Sequence, residues 1–122
     1  MKPKTILVIE DEKALMMIIE KTLKSAGFEV VTALDGMAGM EAAVEGSADL
    51  VILDIMLPKI SGYKILEVLK EFREKRTLPV IILSARAKNE DMKRALAAGA
   101  DLYITKPFSP LQLLERVREF LA

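Results

Sequence analysis

The chain has 122 residues, 52% of them hydrophobic and 30% charged, and its eighteen basic and eighteen acidic side chains cancel to a net charge of zero. That length suits one domain around one core, and that balance excludes a disordered tail and gives no reason to expect nucleic acid or an acidic membrane surface as a partner. With neither cysteine nor histidine, the chain can have no disulfide, no thiolate or imidazole metal site and no histidine general base.

The first element is Thr5-Ile6-Leu7-Val8-Ile9, a continuous apolar run of the kind found in strands buried on both faces. Met-Lys-Pro-Lys leads straight into it without a signal-peptide pattern, and no apolar run approaches the ~18 residues of a membrane span. A cytoplasmic protein without a membrane segment is therefore expected. The run stops at Glu10-Asp11-Glu12. From Lys13 the period becomes helical, with Leu15, Ile18, Ile19, Leu23 and Ala26 on one face and Gly27 in the favoured closing position. Phe28 to Thr32 reads as a second, more polar strand. Asp35 is placed to cap a helix with the stripe Met37, Met40 and Val44, which Gly46 ends. Asp49 to Leu53 is the third strand, and Asp54 stands at its end before Ile55-Met56-Leu57-Pro58. A break at Pro58 to Gly62 precedes a helix lined by Ile65, Leu69 and Phe72. Pro79 opens the fourth strand, Val80 to Leu83. Asn89 is placed to cap a fourth helix whose stripe, Met92, Ala95 and Leu96, predicts the weakest packing of the set. Leu102 to Ile104 is a short fifth strand, broken by Lys106-Pro107. Ser109-Pro110-Leu111-Gln112 reads as a capping box for a last helix carrying Leu111, Leu114, Val117 and Leu121.

Regular strand–helix alternation with short connections predicts an α/β fold, a doubly wound parallel sheet of five strands. The first, third and fourth strands are the most apolar and belong at the centre, leaving the second and fifth at the edges. In such a sheet, ligands bind beyond the carboxyl ends of the strands, where the winding reverses. Glu10-Asp11, Asp54, Ser84 and Thr105-Lys106 occupy those ends. Carboxylates brought together repel and call for a cation. An all-oxygen donor set calls for a hard one, Mg²⁺ before Ca²⁺. A metal and a lysine flanking a central carboxylate make a clamp for a phosphoryl group, with Asp54 best placed as nucleophile. A dinucleotide or P-loop site is excluded, because such a site puts a glycine-rich loop after the first strand. Here the first glycine is Gly27.

Taken together, Glu10-Asp11, Asp54 to Pro58 with Ser61-Gly62, Ser84-Ala85 and Lys106-Pro107-Phe108 closely resemble the motifs of the receiver domain of two-component response regulators. The resemblance runs over essentially the whole chain. It implies a flavodoxin-like fold with strand order 2-1-3-4-5, a single receiver domain over residues 1–122 and no output domain. It further implies that Asp54 accepts a phosphoryl group from a sensor histidine kinase or a phosphotransfer protein. Mg²⁺ would be held by Asp11, Asp54 and the Met56 main-chain carbonyl, with Glu10 acting through water. Lys106 would contact the phosphate, followed by a cis bond to Pro107. Ser84 and Tyr103 would be the switch residues, Tyr103 following Ser84 inward, and the fourth helix, fifth strand and fifth helix the surface read by a downstream partner. The charge set Lys93, Asp101, Glu115, Arg116 and Arg118 suits a homodimer through that face. Glu10 stands where Asp is commoner, which keeps the charge with a longer reach.

Simpler roles exist for some of these residues: Asp11 as a cap of the first helix, Ser84 as a turn serine, Tyr103 as an edge aromatic. The competing function is a small Mg²⁺-dependent phosphatase or phosphotransferase with an aspartyl-phosphate intermediate. Haloacid-dehalogenase-like enzymes of that kind place a second acid two residues after the nucleophile, where this chain has Met56. The expectation is a phosphoacceptor switch rather than a turnover enzyme.

Overall fold

A computed structural model of the chain describes residues 2–122. Five strands alternate with five helices: β1 (Thr5–Ile9), α1 (Lys13–Ser25), β2 (Glu29–Ala33), α2 (Gly36–Glu45), β3 (Leu50–Asp54), α3 (Gly62–Glu71), β4 (Val80–Ser84), α4 (Asn89–Ala97), β5 (Leu102–Thr105) and α5 (Pro110–Leu121). The strands form one parallel sheet in the order β2-β1-β3-β4-β5, so the apolar strands are central and the mixed ones are edges. Among the described residues, no helix is long and apolar enough to cross a membrane.

The alternation of strand side chains divides the core into two layers. Leu7, Ile9, Val51, Leu53, Val80 and Ile82 face α2, α3 and α4. Ile6, Val8, Ile52, Ile81 and Leu83 face α1 and α5. Each fully buried aliphatic side chain contributes about 1.5–3 kcal/mol, and every residue of β3 and β4 is buried. The two strands that end in Asp54 and Ser84 are thus the most firmly held pieces of backbone. The winding reverses between β1 and β3, which places the crevice between Ile9-Glu10-Asp11 and Asp54.

Helix ends follow local chemistry. Asp35 caps α2 by accepting from the Ala38 N–H, and Ser109 caps α5 by accepting from Gln112 N–H with Pro110 at the first helical position. Gly27 (φ 95°) and Gly99 (φ 113°) close α1 and α4 in left-handed conformation. In both cases two amides return to the last turn, Gly27 to Lys24 and Phe28 to Leu23, Gly99 to Leu96 and Ala100 to Ala95.

Some expected positions move. Asn89 is the first residue of α4 rather than its cap; Lys88 takes that place without a side-chain bond. Only Ala95 of α4 is fully buried, in line with the weak stripe. Leu111 is 68% exposed while Leu113 is buried, because Pro110 starts α5 in a phase that turns Leu113, Leu114 and Val117 inward. Met37 is exposed for a related reason: Gly36, Gly39 and Ala43 form the buried side of α2, letting its backbone approach the sheet. Ile18 and Phe72 likewise face outward, with Met16, Ile19 and Leu23 carrying the buried side of α1. β2 and β3 each begin and end one residue later than the polarity change suggests.

Candidate functional site

The rim at the carboxyl ends of β1, β3, β4 and β5 gathers Glu10, Asp11, Asp54, Ser84 and Lys106. One carboxylate oxygen from each of Glu10, Asp11 and Asp54 lies within 4.8 Å of the others. Asp54 is buried by the packing of β3. Its Oδ1 accepts from the Met56 N–H at 2.9 Å, and its Oδ2 faces Lys106 Nζ at 2.9 Å. The same ammonium stands 2.7 Å from Glu10 Oε1. Glu10 Oε2 accepts from the Glu12 N–H at 3.1 Å, but Oε1 has only the charge contact and no well-directed hydrogen bond.

The electrostatics are therefore lopsided, with three carboxylates to one lysine. Burial pushes the Glu10 carboxyl above its ordinary value, and the nearby Asp54 charge adds to that, against the opposing pull of Lys106 and the Glu12 amide. Burial alone would lower Lys106, yet the Glu10 and Asp54 carboxylates facing it outweigh that and hold the ammonium above the usual lysine range. A buried carboxylate oxygen short of a donor, beside two further carboxylates, suits a hard divalent cation. The donor set is all oxygen, as Mg²⁺ requires.

Ser84 is fully buried, one residue beyond the position paired with Asp54. Its Oγ accepts from the Arg86 N–H at 3.1 Å, and its carbonyl accepts from the Lys106 N–H at 2.8 Å. The Lys106–Pro107 bond is cis. Tyr103 is already inside: its ring is buried and its hydroxyl donates to the Arg86 carbonyl at 2.9 Å. Asp11 is exposed and does not cap α1, since Glu12 occupies that position, itself without a side-chain cap bond. Asp11 is thus free to face a ligand. Met56 is half-exposed on the loop after β3.

Arg86 was not anticipated. It is the second residue after β4, and its Nε lies 3.0 Å from Met56 Sδ while Nη1 pairs with Asp91 at 3.4 Å. Tyr63 ties in beside it, donating to the Asp91 carbonyl at 3.3 Å, with the Arg94 guanidinium 3.7 Å from its ring centre. Burial, then the Asp91 charge, keep the Tyr63 phenol above its ordinary range. The only hint in the sequence was a cation just past a strand that ends at the rim.

An open α/β sheet with a carboxylate cluster at its switch point is a doubly wound module whose rim suits a metal ion. The family of the response regulator receiver domain matches residues 6–118, and the chain belongs to that family. Among curated relatives, the alkaline phosphatase synthesis transcriptional regulatory protein PhoP of Bacillus subtilis is 38% identical over 119 residues, covering 97% of this chain and 48% of that protein. The phosphate regulon transcriptional regulatory protein PhoB of Rhizobium meliloti is 43% identical over 121 residues, covering 99% and 53%. The chain thus spans about half the length of the curated relatives it matches. Among solved structures, a CheY-like receiver domain protein from Methanospirillum hungatei superimposes with a TM-score of 0.91 at 32% identity, over 98% of this chain and 94% of that one. The receiver domain of a sensor histidine kinase from Pseudomonas aeruginosa, determined with a magnesium ion coordinated in its active site cleft, gives 0.89 at 28% identity over 98% of both chains.

Proposed function

We propose that the chain is a cytoplasmic phosphorylation switch in which Asp54 accepts a phosphoryl group from the phosphohistidine of a sensor histidine kinase or phosphotransfer protein. The observation that carries the reading is the arrangement around Asp54: a shielded carboxylate on a rigid strand, flanked by a lysine on one side and by carboxylates short of positive charge on the other. Asp11, Asp54 and the Met56 main-chain carbonyl would hold Mg²⁺, with Glu10 acting through water. When bound, Mg²⁺ supplies positive charge to the phosphoryl oxygens.

An Asp54 carboxylate oxygen attacks phosphorus in line. The phosphorus–nitrogen bond of the donor breaks, and its electron pair stays on the departing imidazole. Lys106, which in the resting arrangement bridges Asp54 and Glu10, turns its charge to a phosphoryl oxygen. The product is an aspartyl phosphate on Asp54. Ser84 then donates its hydroxyl to the phosphate and gives up the Arg86 amide it now accepts from. Tyr103 is linked to the same Arg86 main chain, so the Ser84 change reaches β5 and α4. Because Tyr103 is already inward, phosphorylation acts by deepening an existing arrangement, a population shift rather than a new fold. The surface of α4, β5 and α5 is what a downstream effector, or a second copy, reads.

Incubation with a small acyl phosphate and Mg²⁺, followed by intact mass measurement, tests the proposal. One phosphate adduct is expected, absent in Asp54→Asn. No adduct at any Mg²⁺ concentration overturns it, and rapid turnover of many phosphomonoesters would make the chain an enzyme instead.

A further inference from the structure

The loop between β3 and α3 carries Met56, yet much of what holds it comes from the neighbouring helix on the same face of the sheet, α2. Pro58, Lys59 and Ile60 make a tight turn in which the Ile60 N–H returns to the Pro58 carbonyl at 2.9 Å, with Lys59 at φ 71°. That is a left-handed conformation a lysine adopts only when its surroundings enforce it. The surroundings here are the amino end of α2. The Gly36 N–H, one of the amides a helix start leaves unpaired, donates to the same Pro58 carbonyl at 3.1 Å. Asp35, besides capping α2, faces Lys59 Nζ at 3.4 Å. A Cβ on Gly36 would stand 2.0 Å from the Ile60 carbonyl oxygen and 2.8 Å from Ile60 C and N, all backbone atoms unable to yield alone.

The other end of the loop is fixed in the same manner. The Gly62 N–H donates to the Ile55 carbonyl at 3.0 Å, and a Cβ there would meet the Asp54 carbonyl oxygen at 2.6 Å. Between these two anchors lies Met56, whose amide holds Asp54 Oδ1. The loop is thus held at two points, and one of them is where α2 begins.

We propose that Gly36, with the Asp35–Lys59 pair, is a positioning element for the metal site: it fixes the turn at Lys59 and through it the main chain of Met56. This rests on the reading of Asp11, Asp54 and the Met56 carbonyl as Mg²⁺ ligands. The start of α2 touches none of those ligands. Lys59 is exposed and Asp35 half-buried, and an ion pair with so much solvent contact adds little to the fold; its contribution is to loop shape. Supporting groups of this kind typically change metal affinity by about 10–100-fold when altered.

The test is Mg²⁺ binding by isothermal titration calorimetry on folded protein, with circular dichroism as the fold control. Gly36→Ala, which forces Ile60 to move, is expected to lose about tenfold or more in Mg²⁺ affinity. Asp35→Asn keeps a good helix cap but removes the charge facing Lys59, and is expected to lose a few-fold with unchanged melting of the metal-free protein. A merely structural role would lower metal-free melting and leave affinity alone. Folded Gly36→Ala and Asp35→Asn proteins that bind Mg²⁺ like the wild type overturn the inference. If Gly36→Ala does not fold, Asp35→Asn decides: reduced affinity supports the positioning role and wild-type affinity overturns it. A wild-type chain that binds no Mg²⁺ is a different result, since it overturns the metal-site reading itself.

Discussion

The two ends of the sheet use aspartate in opposite ways. At the amino ends of the strands, Asp49 and Asp101 each form a closed clamp with the neighbouring strand. Asp49 Oδ2 accepts from the Thr5 N–H at 2.8 Å while its own N–H donates to the Thr5 carbonyl at 2.8 Å. Asp101 does the same to Val80, at 2.8 and 2.9 Å. Each of these carboxylates has one oxygen paired with a strand amide. At the carboxyl ends, Glu10 and Asp54 share one lysine with Asp11 close beside them, and one buried oxygen goes without an aligned donor. The sheet is the same and so is the chemistry of the side chains. What separates structural from functional acid is whether the fold itself satisfies the charge. A folded chain tolerates such a deficit where a ligand is meant to make it good.

Exchanging the acids one at a time breaks this contrast most sharply. Asp54→Asn is expected to abolish the phosphate adduct completely, whereas Asp49→Asn leaves phosphorylation at the wild-type level; intact mass reads both. The next effect is on stability. Mg²⁺ at about one hundred times its dissociation constant raises unfolding free energy by about 2.7 kcal/mol if it binds only the folded chain. Urea unfolding with and without the metal measures this. Asp11→Asn removes that gain and, by relieving repulsion among the three acids, makes the metal-free protein more stable than the wild type. The opposite rim answers the other way: Asp101→Ala leaves the Val80 N–H unpaired in a buried strand and costs about 1–3 kcal/mol, with the Mg²⁺ response intact. Equal metal responses in Asp11→Asn and Asp101→Ala would erase the distinction between the two ends.

The contrast also explains what could be read from the chain alone. The rim was legible because its residues sit where apolar runs stop, and a strand end in a parallel sheet has a fixed place in space. Which strands are central was legible for a similar reason, since the apolar purity of β1, β3 and β4 requires cover on both faces, while the full order 2-1-3-4-5 followed from the family resemblance. The clamps were not. Asp101 reads as one more surface charge, since nothing in sequence reveals that its carboxylate turns back on Val80. Arg86 and Gly36 escaped for a related reason. Their partners, Met56 and Ile60, are thirty and twenty-four positions away, and neither contact leaves a periodic trace. The inward face of α5 was misjudged by the phase of a single residue, Leu111 for Leu113, because period alone does not fix which side of a helix meets the sheet.

The smallest effect sharpens the contrast through pH. Burial lifts the Glu10 carboxyl above its ordinary value, so the folded chain holds that proton more readily than the unfolded one. The stabilisation this gives is full below the ordinary glutamate value of about 4.3 and is lost as pH rises through the folded value. Lys106 is also raised, but its contribution persists through the neutral range and fades only above about 10.4. In the acid window Glu10 is therefore opposed chiefly by groups such as Asp35, whose bond from the Ala38 amide lowers its carboxyl and whose contribution is lost as pH falls. Glu10→Gln separates the two, since it removes only the raised group. Metal-free wild type is expected to lose stability relative to Glu10→Gln as pH rises from 4 to 7, a trend that saturating Mg²⁺ reverses. A difference between the two proteins that stays flat across that range would mean that burial does not penalise the Glu10 charge, and would remove Glu10 from the contrast.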